Sequence, residues 1–315
     1  MSSDEGGPVL RIRHEVNGGP EVLFAEEVDR PEPGAGELLV RVEAVGVTLP
    51  TVRKLRESGE PVLLGGEVAG EIVALGAGVA GFGVGDRVTG LCFADAYAEF
   101  AVLNGAMASR IPDGATAVEA VALVRSGLVA RGAYEAARPE PGESVLVTAA
   151  ASAVGTLALQ YAKAGGASRV VAAVSSADKA DFVRGLGADE VVLYGDTDWG
   201  GPYDVILDGV GGELLGPAVR ALATGGRLVA FSSGGGSVEA YELLLRGASL
   251  IGFQMRAVAV GRPELYHRWL RELWQLRDAG TLRTTVHEEI PLRDAARAHA
   301  VIEQRRNLGK VVLVP

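Results

Sequence analysis

The sequence predicts an α/β protein, a doubly wound parallel sheet accompanied by a smaller β-barrel. Three observations predict it. Up to about Asp113 the chain is a series of short strand-like runs between closely spaced turn signals. From about Ala117 to Gly252, nearly all-apolar strand candidates alternate with helical segments, as in a parallel sheet covered on both faces. The tail returns to strand character at Lys310-Val311-Val312-Leu313-Val314.

The elements follow in order. Leu38-Leu39-Val40-Arg41-Val42 and Glu71-Ile72-Val73-Ala74-Leu75 are the clearest early strands. Turns are expected at Pro33-Gly34, Gly81 to Asp86 and Pro112-Asp113-Gly114. A helical stretch then leads into strand candidates at Val145-Leu146-Val147, Val170 to Val174, Val191-Val192-Leu193, Val205-Ile206-Leu207, Leu228 to Phe231 and Leu250-Ile251. After Gly155, Leu157, Ala158, Tyr161 and Ala162 recur at helical spacing. A long helix is expected from Pro263 to Ala279, stopped by Gly280, then a strand near 285–290 and a helix over 291–304. The segments 49–61 and 252–261 read as loops. Residues 1–117, completed by 282–315, form the expected barrel domain, and 118–281 the nucleotide-binding domain.

Composition narrows the function. The chain has 315 residues, 48% of them hydrophobic, enough for two cores. A net charge of -10 gives no electrostatic reason to bind nucleic acid or an anionic membrane. No apolar run reaches the roughly 18 residues of a membrane span, and no leader is visible at the N-terminus. A single cysteine, Cys92, excludes an internal disulfide and a cysteine-rich zinc site. The expectation is a cytoplasmic protein.

The most informative segment runs from Gly142 to Gly155: a strand, a tight turn of small residues and a helix start. The free amides and dipole of a helix N-terminus hold a diphosphate. Only the last glycine of a G-x-G-x-x-G pattern is present, at Gly155, with Ala150 and Ser152 in the other two places. Beyond the second strand the chain reads Ser175-Ser176-Ala177-Asp178-Lys179. An NAD site normally puts Asp or Glu there to accept from the ribose 2′-hydroxyl. Two hydroxyls and an ammonium suit a 2′-phosphate instead, so the expected cofactor is NADPH.

Ala149 to Gly155 with Gln160-Tyr161-Ala162-Lys163, Leu186-Gly187-Ala188-Asp189 with Tyr194, Gly225-Gly226-Arg227-Leu228-Val229 and the closing Gly309-Lys310-Val311-Val312-Leu313 carry a resemblance. So do Gly65-Gly66-Glu67-Val68-Ala69-Gly70 and Gly85-Asp86-Arg87-Val88 upstream. In family order over essentially the whole chain, they resemble the zinc-independent quinone oxidoreductase (zeta-crystallin-like) branch of the medium-chain dehydrogenase/reductase superfamily. The resemblance implies a GroES-like catalytic domain, a Rossmann domain, a cleft between them and a homodimer. It implies that Ser152, Ala153, Val154, Gly155, Ser175, Ser176, Lys179 and Tyr194 hold the phosphates and adenosine half of the cofactor. Val210, Phe231 and Ser232 would lie toward the nicotinamide. At the positions where zinc alcohol dehydrogenases carry their ligands this chain has Thr48, Gly66 and Ser126, none of them a plausible ligand, so no metal is expected.

The chain departs from the branch around the expected active site. A Gly-Val-Asn-Pro-x-Asp stretch reads Gly46-Val47-Thr48-Leu49-Pro50-Thr51; a following tyrosine is Arg53, and a threonine near the nicotinamide is Val129. The catalytic candidates are therefore Thr48, as a hydroxyl donor, and Arg53, as a partner for an oxyanion. Tyr97 is expected to pack in a strand. The expected activity is hydride transfer from NADPH to a quinone, an α,β-unsaturated carbonyl or an enoyl biosynthetic intermediate. The alternative is a catalytically lapsed nucleotide-binding regulator or scaffold.

Overall fold

The structure is a computed structural model that describes residues 7–231 and 234–315. It divides into two compact units, 1–125 with 286–315 and 126–285.

The first unit begins with a two-stranded ribbon of β1 (Val9–Arg13) and β2 (Phe24–Val28). β3 (Glu37–Gly46) leads into α1 (Leu49–Glu57), then β4 (Gly66–Leu75), β5 (Arg87–Cys92), β6 (Phe100–Asn104) and β7 (Ala108–Arg110). β3 pairs antiparallel with β4 from Leu38↔Leu75 to Gly46↔Glu67, and with β6 along its first half. The alternating apolar residues Leu38, Val40 and Val42 of β3 enter a core with Val68, Ile72, Val88 and Leu103.

α2 (Ala117–Ala136) carries the chain into the second unit. There follow β8 (Ser144–Val147), α3 (Ala153–Ala164), β9 (Arg169–Val174), α4 (Ala180–Arg184), β10 (Glu190–Leu193), β11 (Tyr203–Asp208), α5 (Leu215–Arg220), β12 (Leu222–Ala230), α6 (Ala240–Arg246), β13 (Ser249–Gly252), α7 (Met255–Gly261) and α8 (Pro263–Asp278). The strands form one six-stranded sheet in the order β10-β9-β8-β11-β12-β13, every pair parallel. This is the doubly wound order, and the direction reverses between β8 and β11. Leu146, Val171, Ile206 and Leu228 pack at the centre of one face with Trp199, Tyr203 and Leu215.

The tail, β14 (Val286–Pro291), α9 (Ala295–Glu303) and β15 (Lys310–Val314), belongs to the first unit. β15 pairs with β14 in parallel and with the end of β3 antiparallel. The expected fold class holds.

Three local expectations are corrected. Segment 49–61 is not a loop throughout. Thr48 caps α1, accepting from the Thr51 amide, and Pro50 sits in the first turn where its missing N–H costs nothing. Segment 252–261 likewise closes into α7. β12 starts six residues before Leu228, because Thr224-Gly225-Gly226 is absorbed as an irregularity in its pairing with β11 rather than ending the strand.

Candidate functional site

In the second unit, the carboxyl ends of β8 and β11 are tied by one buried carboxylate. Asp208 Oδ1 accepts from the Thr148 hydroxyl at 2.7 Å and from the Val210 amide at 3.2 Å, and Oδ2 accepts from the Gly211 amide at 2.9 Å. The Gly209 amide in turn donates to Thr148 Oγ1 at 2.9 Å. The knot sits at the point where strand order reverses, where an open α/β sheet forms its ligand crevice. Neither Thr148 nor Asp208 was singled out from sequence. The available signal was an acidic residue closing an apolar strand before Gly209-Val210-Gly211-Gly212.

The turn from β8 to α3 is built for close approach. Ala149 adopts a left-handed φ of 49°. Gly155 has no room for a side chain: a Cβ there would overlap the Ala149 carbonyl oxygen and lie 2.7 Å from Ala150 Cα. Ser152 caps α3, its hydroxyl accepting from the Gly155 amide at 3.1 Å. A helix leaves its first amides without intrahelical partners. The cap takes that of Gly155, which leaves those of the half-buried Ala153 and Val154 for an anion.

The corner beyond β9 is assembled by Tyr194. Its amide donates to Val174 O at 3.1 Å, and its hydroxyl accepts from the Ala149 amide at 2.9 Å. One residue thus joins the carboxyl ends of β8 and β9. Ser175 is exposed, Ser176 half-buried and Lys179 buried, in the short turn that opens α4. On the other side, Phe231 donates its amide to Asp208 O at 3.1 Å. A Cβ on Gly209 would stand 3.1 Å from the Phe231 ring and 3.2 Å from Ala149 Cβ, so the three residues adjoin. Val210 and Phe231 are half-buried; Ser232 lies outside the described residues. These residues fit a dinucleotide: the helix mouth and the bare Gly155 suit the diphosphate, and the neutral Ser175 corner suits a phosphorylated ribose.

In the first unit, Thr48 is buried and its hydroxyl is engaged. Thr51 Oγ1 donates to the Gly65 carbonyl at 2.8 Å, so across the 3.0 Å contact between the two hydroxyls Thr48 must be the donor. Its oxygen also accepts from the Thr51 amide at 3.4 Å. Arg53, half-buried on α1, meets Glu57 one turn on at 3.4 Å.

Sequence reasoning missed a buried charge pair beside Thr48. Glu67 and Lys310 are both buried and in direct contact through Glu67 Oε1. They meet in the gap left by Gly46, where any Cβ would overlap Glu67 Oε1 and crowd Lys310 Cε. Burial pushes the ammonium down from its ordinary value, and the carboxylate in contact opposes that shift. Nearby, the buried Tyr97 hydroxyl lies 3.1 Å from His299 Nε2, and burial pushes the imidazole down to about 4. Burial also pushes the Cys92 thiol up to about 12, leaving it a packed hydrophobe.

Residues 34–130 match the alcohol dehydrogenase GroES-like domain, and 186–313 match the zinc-binding dehydrogenase domain. A quinone oxidoreductase of Pseudomonas aeruginosa is 33% identical over 97% of this chain and 99% of its own length. An acryloyl-coenzyme A reductase of Metallosphaera sedula is 29% identical over 95% and 98%. A mycobacterial protein solved in complex with NADPH superposes with a TM-score of 0.90, at 30% identity over 98% of this chain and 100% of that one. On this full-length likeness, the chain belongs to the quinone oxidoreductases of the medium-chain dehydrogenase/reductase superfamily.

Proposed function

We propose that the protein is an NADPH-dependent reductase that delivers hydride to a quinone or to an α,β-unsaturated carbonyl, enoyl intermediates included. The observation that carries the reading is the β8–α3 turn, where Gly155 admits no side chain and the helix mouth is left to an anion. The NADPH bound by the mycobacterial relative and the acceptors in the names of the other two supply the chemistry. When bound, the cofactor supplies the hydride.

The chain's own residues hold and orient. Ser152, Ala153, Val154 and Gly155 receive the diphosphate; Ser175, Ser176, Lys179 and Tyr194 receive the phosphorylated ribose. Val210 and Phe231 line the nicotinamide side. Thr48 spends its proton on Thr51, so its first task is to cap α1 and fix the helix that carries Arg53. Arg53 pairs with the acceptor oxygen as charge builds there. The protein works as a cytoplasmic homodimer.

The test is NADPH oxidation with small quinones and conjugated enones. Turnover supports the reading. Tight NADPH binding without turnover on any acceptor moves the protein to the nucleotide-binding scaffold or regulator class.

A further inference from the structure

Two separate sets of side-chain hydrogen bonds tie the carboxyl ends of the parallel strands, both within residues 126–285. One belongs to Tyr194 and joins the end of β8 to the end of β9. The other belongs to Asp208 and joins the end of β8 to the loop after β11. Asp208 and Thr148 are both fully buried. Thr148 gives its proton to Asp208 Oδ1 and accepts from the Gly209 amide. The Val210 amide converges on the same carboxylate oxygen, and the Gly211 amide on the other. Every donor points inward, which matches a carboxylate, an acceptor on both oxygens.

The tie reaches beyond its own loop. Gly211 and Gly212 have φ of 72° and 62°, a conformation that other residues rarely adopt. The Gly212 amide donates to the Gly235 carbonyl at 2.9 Å. A Cβ on Gly236 would stand 2.9 Å from the Gly212 carbonyl oxygen. The segment after β12 therefore rests on the segment that Asp208 holds. An asparagine in place of Asp208 would turn its NH2 group either toward the Gly211 amide or toward the Val210 amide and Thr148. In both orientations at least one backbone N–H faces another donor, and a buried donor without an acceptor is costly.

We propose that Asp208 is a positioning residue for hydride transfer. Buried, it acts through the backbone: it holds 209–212, and through Gly235 the segment after β12, in the shape that receives the nicotinamide half of the cofactor. Thr148 is its partner in that role. The adenosine half is held independently, by the corner that Tyr194 ties. The inference rests on the NADPH-dependent reductase reading.

The experiment compares two ligands by calorimetric titration: NADPH, and adenosine 2′,5′-bisphosphate, which carries the phosphorylated ribose and lacks the nicotinamide. D208N, equal in size to the wild type, is expected to weaken NADPH by about tenfold or more and to leave the bisphosphate unchanged. An equal loss for both ligands, or no loss for either, overturns the proposal. A merely structural role for Asp208 would lower the urea midpoint without separating the two ligands. T148V keeps the carboxylate and removes the hydroxyl that pairs it, and is expected to show the same selective loss. T148S, which keeps the hydroxyl, recovers NADPH binding; a loss that it does not recover overturns the proposal. The two Thr148 variants carry the test should D208N fail to fold. A wild type that binds neither ligand sinks the NADPH reading and the positioning role with it. A wild type that binds both, with variants that do not tell them apart, sinks the positioning role alone.

Discussion

Tyr194 holds the turn between β8 and α3 from outside it: its hydroxyl accepts from the amide of Ala149, 45 residues earlier, at 2.9 Å. Ala149 is also the non-glycine residue that carries a left-handed φ in that turn. A backbone conformation that costs energy is kept where neighbours over-determine it. Tyr194→Phe therefore leaves an amide unpaired and loosens the turn. The expected result is a loss of about 1–2 kcal/mol of stability and several-fold weaker NADPH binding. Denaturant unfolding and a fluorescence titration check the two effects separately.

The proposed reading of the cofactor's 2′-phosphate by the exposed Ser175 is open to a direct test. Ser175→Asp places a carboxylate at the end of β9, where it accepts from a ribose 2′-hydroxyl and repels a 2′-phosphate. The expected outcome is at least about a tenfold fall in the NADPH-to-NADH preference, equivalent to about 1.4 kcal/mol. Parallel thermal-shift titrations with the two coenzymes measure it. A preference unchanged by the substitution rules out this corner as the reader of the 2′-phosphate.

Gly155→Ala tests the close packing of α3 on the turn. The added methyl meets backbone, the Ala149 carbonyl and Ala150 Cα, rather than a side chain that can swing away. Overpacking of this kind costs about 1–3 kcal/mol, and the helix mouth shifts with it. Lower stability in urea together with lost NADPH binding is the expected pair of results.

His299 predicts acid sensitivity in the first unit. Burial, with a smaller contribution from His14, lowers its folded pKa from 6.5 to about 4. The unfolded chain then binds more protons between those values, so stability is full above about 6.5 and falls as pH drops toward 4. His299→Phe, which cannot charge, flattens this part of the Tm-against-pH curve. A slope that persists in the variant assigns the acid loss to other groups.

β13 lies at the edge of the parallel sheet with Leu250 exposed, and such an edge invites pairing with a second copy. Sedimentation at micromolar concentration is expected to give a dimer. A monomer there removes the homodimer from the proposal.

The second unit was legible where one signal dominates. Strands covered on both faces are runs of Val, Leu and Ile, so β8, β9 and β11 stand out in the sequence, and small residues after β8 mark the tight turn into α3. What stayed hidden depends on contacts between distant residues. Asp208 looks like any strand-end aspartate until Thr148, 60 residues earlier, is set beside it. The pairing of Glu67 with Lys310 stays hidden because nothing local reveals that Gly46 leaves a hole between their strands. The α1 helix was missed for another reason: Thr48 and Pro50 are a helix start, but the helix they open is only nine residues long.

The bridge between Glu67 and Lys310 spans 243 positions of sequence. On the ribosome, the strand carrying Glu67 emerges long before the one that neutralises it. That acid must stay wet, or protonated, until the remaining chain has been made. The barrel unit, although started first, is therefore the last to be sealed, with the nucleotide-binding unit free to fold in the interval.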